Sequence, residues 1–307
     1  MPSARPRGRD VSGLLLLDKP HGLSSNHALQ RVKRIYQAAK AGHTGSLDPL
    51  ATGMLPICFG SATRLSGYLL DARKVYRVTA ALGVATATGD AEGAVIADRS
   101  QEPGPDAARV AATLQQFVGE TKQVPPMYSA LKRDGVPLYR LARQGVEVVR
   151  EPRRVVIEEL TLEAYRWPEL TLVVRCSKGT YIRTLVEDIA VALGTVGHVA
   201  MLRRLAVEPF AADPMHSLDA LEALDGSAAG NTALDALLLP PDQALRGWPV
   251  VRLARAAAER LARGQAVPAE PAWPLGAVAV YAEPNEFVAI ATVTADGQLL
   301  PKRVFLR

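Results

Sequence analysis

Hydrophobic positions along this chain change period several times, and each change predicts an element. Residues 13–18 (Gly-Leu-Leu-Leu-Leu-Asp) are a short continuous apolar run, which predicts a buried strand closed by a turn at Pro20 and Gly22. Ser24, Ser25 and Asn26 are N-cap candidates for a helix reaching about Ala39, with Leu29, Val32, Ile35 and Tyr36 on one face. Residues 41–56 follow neither period; their three glycines, two prolines and small polar residues predict a structured loop. Further on, strands are predicted at 57–59, 74–84, 153–165, 169–176 and 198–208, and helices at 62–70, 107–118, 137–144 and 180–193. Residues 123–132 read as a proline-kinked loop, and 211–247 as short helices and a linker. From 248 on, a helix at 251–263 and strand-like runs at 276–281, 287–294 and 302–306, separated by turn signals at Glu283-Pro284-Asn285 and Asp296-Gly297, suggest a small β-barrel-like module.

Composition narrows the classes. The 307 residues are 48% hydrophobic and 22% charged, enough for one large domain or a large one plus a small one. A net charge of +5 and a pI near 9.3 fit a polyanion-binding protein, and equally a basic enzyme with a solvated surface. Two distant cysteines, Cys58 and Cys176, supply neither a disulfide framework nor zinc spacing. The basic N-terminus leads into a run, Val11 to Leu17, that reads as a strand rather than a secretory signal. No apolar stretch approaches the roughly 20 residues of a membrane helix. A soluble cytoplasmic protein is therefore expected.

Among chemical signatures, phosphate-binding, dinucleotide, zinc-protease and nucleophile-elbow motifs are missing, so no metal or nucleotide cofactor is expected. The informative segment is Gly42-His43-Thr44-Gly45-Ser46-Leu47-Asp48-Pro49-Leu50-Ala51-Thr52-Gly53. Asp48 precedes proline, which favours an extended backbone, and flanking glycines permit sharp turns and close approach. Such a carboxylate can serve as nucleophile or general base. It can also merely cap a turn, and spacing alone favours the cap.

That loop, extended through Met54-Leu55-Pro56, and the preceding Leu14-Leu15-Leu16-Leu17-Asp18-Lys19-Pro20-His21-Gly22-Leu23-Ser24-Ser25 resemble the TruB family of tRNA pseudouridine synthases. Further matches follow in the same order: Arg73-Lys74-Val75-Tyr76, Thr88-Gly89-Asp90, the stretch from Gln123 to Lys132, Gly179-Thr180-Tyr181-Ile182-Arg183, and His198 through Leu202-Arg203-Arg204. The resemblance covers roughly residues 13–210, with Ser46 where alanine is common. The last 60 residues or so resemble, more weakly, a PUA-type RNA-binding module.

The resemblance implies that uridine 55 in the T-loop of tRNA is isomerised to pseudouridine, with no energy source because one glycosidic bond replaces another. It makes Asp48 the catalytic carboxylate, Tyr76 the ring stacked on the target uracil, and Arg183 the cation paired with Asp48. His43 fills the space left by the flipped base, Tyr181 and Leu202 line the pocket, and Asp90 completes the network. Lys19, Pro20, Gly42, Thr44 and Gly45 shape the loop. Phosphate contacts are expected from Lys33, Arg34, Lys132, Arg133, Arg140, Arg143, Arg153, Arg154, Arg203 and Arg204.

The implied fold is α+β: a central mixed, largely antiparallel sheet flanked by helices over residues 1–247, then a small β-barrel-like PUA-type domain over 248–307. The expected partner is the T-arm stem-loop, bound by a monomer. The alternative is a tRNA-folding chaperone on the same scaffold.

Overall fold

The computed structural model describes residues 8–305. Residues 1–7 of the basic N-terminus, and Leu306 at the end of the last expected strand, lie outside the described residues. The first apolar run forms β1 (Gly13–Lys19). It is continuous because both faces are buried. Leu15 and Leu17 join a cluster with Ala28, Val32 and Ile35, whereas Leu14 and Leu16 pack on the other side with Met54, Cys58 and Phe210.

α1 (Ser25–Ile35) is capped by Ser24, whose side chain accepts from the His27 N–H at 3.2 Å. It stops short of Ala39 because Gln37 takes a positive φ of 48°. β2 (Ala41–His43) and β3 (Thr52–Phe59) follow, so the segment expected as a loop over 41–56 is strand at both ends. Its glycines and prolines concealed a register in which Lys19 faces Gly53 and Leu16 faces Pro56. The loop proper is 44–51.

A 3-10 turn (Gly60–Leu65) and α2 (Ser66–Asp71) take the place of the single expected helix. β4 (Lys74–Leu82) alternates buried and less buried positions, as predicted. The hairpin of β5 (Val84–Thr86) and β6 (Val95–Asp98) was not anticipated, since Val95 and Ile96 are exposed and carry no burial pattern. After α3 (Ala107–Leu114), β7 (Gly119–Gln123), β8 (Lys132–Arg133), β9 (Val136–Pro137) and α4 (Leu138–Arg143), the long strands β10 (Arg153–Arg166) and β11 (Glu169–Cys176) precede α5 (Ile182–Ala192) and β12 (Gly197–Val207). Then come β13 (His216–Ser217), α6 (Leu218–Asp225) and α7 (Gly230–Asp235).

The large sheet runs β13-β1-β3-β12-β4-β11-β10-β7, with β2 added on β3. Only β1–β13 and β12–β3 pair in parallel, so it is mixed and largely antiparallel. α3 and α5 contribute Val110, Leu114, Leu185 and Ile189 to the core over β4 and β11. α1, α6 and α7 cover the β1–β3 end.

The last module is a second sheet of β14 (Val250–Leu253), β15 (Val267–Pro268), β16 (Gly276–Ala282), β17 (Glu286–Val293) and β18 (Gln298–Val304), ordered β14-β16-β17-β18-β15, with α8 (Arg255–Ala262) against it. Residues 250–253 are strand, so the helix expected from 251 begins only at Arg255. Their Val-Val-Arg-Leu pattern alternates exposed and buried, and they pair in parallel with β16. Leu245, Ala279 and Ile290 join this sheet to the core of the first. No helix in the described residues is long and apolar enough to cross a membrane.

One glycine is set by close packing. Gly53 has φ +98°, and a Cβ there would sit 2.2 Å from the Arg204 carbonyl oxygen. Gly53→Ala is expected to cost about 3 kcal/mol from strain and overpacking combined. A denaturant midpoint unchanged from wild type would contradict that packing.

Candidate active site

The 44–51 loop is held nearly residue by residue. The Thr44 N–H donates to the Pro56 carbonyl at 3.1 Å. Gly45, at φ +93°, turns its carbonyl to accept from Arg204 Nη2 at 3.1 Å. Ser25 Oγ clamps Leu47 twice, accepting from its N–H at 2.7 Å and donating to its carbonyl at 3.0 Å. Pro49 offers its carbonyl to the Gly22 N–H at 2.8 Å and to Lys19 Nζ at 3.3 Å.

Lys19 is fully buried at the end of β1, and its ammonium also donates to the carbonyls of Pro20 at 2.8 Å and Leu23 at 2.6 Å. Burial lowers its pKa to about 8, with the charge of Asp48 pulling the other way. Lys19 thus ties the turn at Pro20 to the loop at Pro49, while Pro20 itself is exposed.

Asp48 Oδ2 lies 3.0 Å from Arg183 Nε. The aspartate side chain keeps 40% of its surface open, whereas the Arg183 side chain keeps 5%. Arg183 stands in the first turn of α5, and each of its other two nitrogens donates to a main-chain carbonyl: Nη1 to Thr88 at 2.8 Å and Nη2 to Tyr128 at 2.7 Å. Asp90 Oδ2 is 3.9 Å from Nη1, and Asp90 is itself buried and held by Thr88 Oγ1 at 2.5 Å. One immobile guanidinium therefore aims one half-open carboxylate. Burial pushes the Asp48 carboxyl above its ordinary value; Arg183 pulls it back, and the neighbouring Asp90 charge adds to the rise.

Tyr76 on β4 is nearly buried and belongs to the same apolar cluster as Leu47, Leu50, Ala51 and Leu202 of β12. Burial raises its phenol pKa, opposed by the charge of Arg204. His43 ends β2; burial first, then Arg204, lowers its pKa, so the ring is neutral at physiological pH. Its Nδ1 and the Oγ1 of Thr44 are buried without a protein partner.

Tyr181 is the N-cap of α5 and is fixed by Gln123, whose Oε1 accepts from its N–H at 3.0 Å and whose Nε2 donates to its carbonyl at 3.3 Å. Gly42 lies in β2 with open space beyond its Cα, so the conformational need for glycine falls on Gly45.

Three side chains of the site were not read as such from the sequence. Ser25 and Gln123 stand within motifs that carry the resemblance, but the sequence assigns them no site role, only an N-cap candidate and the edge of a proline-kinked loop. Arg204 was placed among the phosphate contacts. That placement is corrected: Arg204 is 1% exposed and donates from Nε to the Met54 carbonyl at 2.6 Å. The period-2 alternation of β12 was the available signal, since Leu202, Arg204 and Ala206 all point to the buried side. Arg203 is half-exposed and engaged by both oxygens of Asp18, at 2.9 and 2.7 Å. Arg34, Lys132, Arg133, Arg140, Arg143, Arg153 and Arg154 are exposed, and Lys33 is half-buried. Among the described residues no group of three or more His, Cys, Asp or Glu is placed to hold a metal. Cys58 and Cys176 are free and buried.

Three family models match in succession along the chain. The N-terminal domain of TruB family pseudouridylate synthases matches residues 33–182, the tRNA pseudouridylate synthase B C-terminal domain matches 183–246, and the C-terminal model of pseudouridine synthase II TruB matches 249–305. The tRNA pseudouridine synthase B of Pseudomonas aeruginosa (strain UCBPP-PA14) is 50% identical over 296 residues, 96% of each chain. That of Yersinia enterocolitica (serotype O:8 / biotype 1B, strain NCTC 13174 / 8081) is 49% identical over 306 residues, 98% of this chain and 92% of that one. In fold, the chain resembles one in the crystal structure of a Cbf5–Nop10–Gar1 complex, with TM-score 0.74, 25% identity, and 96% and 85% of the two chains covered. A chain in an H/ACA ribonucleoprotein bound to substrate RNA gives TM-score 0.74 at 21% identity, covering 99% and 92%.

Proposed function

The chain belongs to the TruB family of pseudouridylate synthases, and from that premise we propose that it isomerises uridine 55 in the T-loop of tRNA to pseudouridine, with Asp48 as the catalytic carboxylate. The observation that carries this reading is the Asp48–Arg183 contact of 3.0 Å beside Tyr76 and Leu202.

The reaction breaks the N1–C1′ bond and forms a C5–C1′ bond. N1 gains a proton and C5 loses one, so the atoms balance with no co-substrate. A uracil inside folded RNA must first be extruded, at a cost of a few kcal/mol of stacking. Tyr76 and Leu202 offer the replacement surface, and Tyr181 closes the pocket beside Gln123. Neutral His43 suits a position against the RNA stack, where a charged ring would pay for desolvation. Asp48, paired with Arg183, supplies the carboxylate on which cleavage of the glycosidic bond depends. Asp90, buried 3.9 Å from Arg183 Nη1, supplies a second carboxylate beside the guanidinium in this reading.

The exposed arginines and lysines at 132–154 would meet phosphates through salt-sensitive contacts. Residues 1–247 form the catalytic unit in this reading, and 248–307 an RNA-binding module of PUA type. The protein works as a cytoplasmic monomer on the T-arm stem-loop.

The direct test is incubation of the purified chain with unmodified tRNA transcript, followed by mapping of pseudouridine. Conversion at position 55 alone is the expected result. A transcript recovered unmodified, with the protein folded and tRNA bound, would leave only the chaperone reading.

A further inference from the structure

Arg204 occupies a place in the sheet that the reaction, as described so far, does not use. Cross-strand partners form one continuous row: Lys19 of β1 faces Gly53 of β3, Gly53 faces Arg204 of β12, Arg204 faces Tyr76 of β4, and Tyr76 faces Val174 of β11. In such a row the side chains of directly opposed residues share one face. Gly53 contributes no side chain, and the guanidinium spans toward the loop. There Arg204 Nε takes the Met54 carbonyl at 2.6 Å and Nη2 takes the Gly45 carbonyl at 3.1 Å. Nη1 lies 3.7 Å from where a Cβ on Gly45 would stand.

A side chain only 1% exposed carries this charge. Among the described residues it forms no ion pair with a carboxylate; main-chain carbonyls meet the charge instead. Lys19 and Lys74 are buried cations nearby. The Lys74 ammonium is occupied with the carbonyls of Leu69, Leu70 and Ala72 at 3.2, 2.7 and 2.6 Å. A buried charge without a counter-charge is expensive. A hydrophobic residue would pack this position more cheaply if the fold alone were at stake.

We infer that Arg204 is a positioning residue for the reaction: its guanidinium locks the turn at Gly45, and with it the His43–Asp48 loop, onto β3 and β12, the latter paired directly with the strand that carries Tyr76. The inference rests on the reading of the site as a pseudouridine synthase centre. The loop and the Tyr76 ring arrive from different strands, and Arg204 stands between them, in register with Tyr76 and bonded to the loop. Without it, Asp48 stays paired with Arg183 while the loop loses its hold at the Gly45 end. Its charge also acts on the neutral state of His43, whose pKa is lowered by burial and then by Arg204.

The test uses Arg204→Met and Arg204→Lys in the full chain. Methionine removes both the charge and the two carbonyl bonds. Lysine keeps the charge but cannot take two carbonyls in fork geometry. At saturating unmodified tRNA, Arg204→Met is expected to slow single-turnover conversion by about a hundredfold and Arg204→Lys by about tenfold, the size of effect that small misplacement of reacting groups produces. tRNA affinity stays unchanged in both. Main-chain amides of residues 44–51 exchange faster in both variants. The His43 ring, followed by NMR, titrates higher in Arg204→Met and as in wild type in Arg204→Lys.

Wild-type rates, or wild-type exchange over 44–51, in either folded variant would overturn the inference. Should Arg204→Met fail to fold, Arg204→Lys decides by the same two measurements. Should the wild-type chain itself form no pseudouridine, the functional reading fails, and loop exchange and the His43 titration still decide whether Arg204 positions the loop.

Discussion

Asp48→Asn is expected to lower conversion of tRNA by about four orders of magnitude or more, the scale seen when an essential catalytic group is removed. tRNA binding is expected to survive, because the basic residues exposed around 132–154 are untouched. The fold is expected to survive as well. Asparagine still offers a carbonyl oxygen to Arg183 Nε, and Arg183 keeps Thr88 and Tyr128. The ionised aspartate in fact works against stability at neutral pH. Its folded-state pKa is raised by burial above the ordinary 3.8, so its stabilising protonated form is lost as pH rises.

The same shift governs activity in the opposite sense. The ionised form is the working one, so wild-type kcat/KM is present above the raised pKa and falls as pH drops through it, with the acid limb above pH 3.8. Conversion by Asp48→Asn near the wild-type rate would end the proposal that this carboxylate is catalytic. Loss of tRNA binding in the same variant would shift the role of Asp48 from chemistry to recognition.

Arg183→Met is expected to be damaging in two ways at once. It leaves Asp48 and Asp90 without the cation between them and strips the Thr88 and Tyr128 carbonyls of their donors. Removing one partner from a buried charge network costs about 3–5 kcal/mol, readable as a lower denaturant midpoint. Single-turnover conversion is expected to fall by about a thousandfold, comparable to losing a preorganised electrostatic group.

The residual activity carries the sharper signature. Arg183 holds the Asp48 pKa down, so its removal moves the acid limb to higher pH. Arg183→Lys restores a charge but not a planar fork, and should recover stability more than rate. An acid limb left in place in Arg183→Met would mean that a group other than Asp48 sets it.

Much of the fold was legible because hydrophobic period tracks burial. The unbroken Leu14–Leu17 run, the alternation of β4 and the apolar face of α5 each signalled their element. What misled was composition standing in for geometry. Gly53 and Pro56 made β3 look like loop, yet Gly53 is required there by the Arg204 backbone, a constraint from a strand far along the chain. Val251–Leu253 read as the start of a helix, and pairing with β16 made it strand. β6, with Val95 and Ile96 exposed, has no buried face to announce the β5–β6 hairpin.

The sequence by itself determined the family and the chemical inventory: an aspartate before proline in a glycine-flanked loop, a tyrosine after basic residues, an arginine opening a helix. These are local facts, written in adjacent residues and in their order. Only the tertiary structure decided which groups meet and how tightly. Arg183 reaches Asp48 from α5, Ser25 and Lys19 grip the loop from α1 and β1, and Arg204 turns inward while its neighbour Arg203 remains half-exposed. Those outcomes depend on strand register and on which face of a strand is buried, and a single-residue slip reverses every side chain on it.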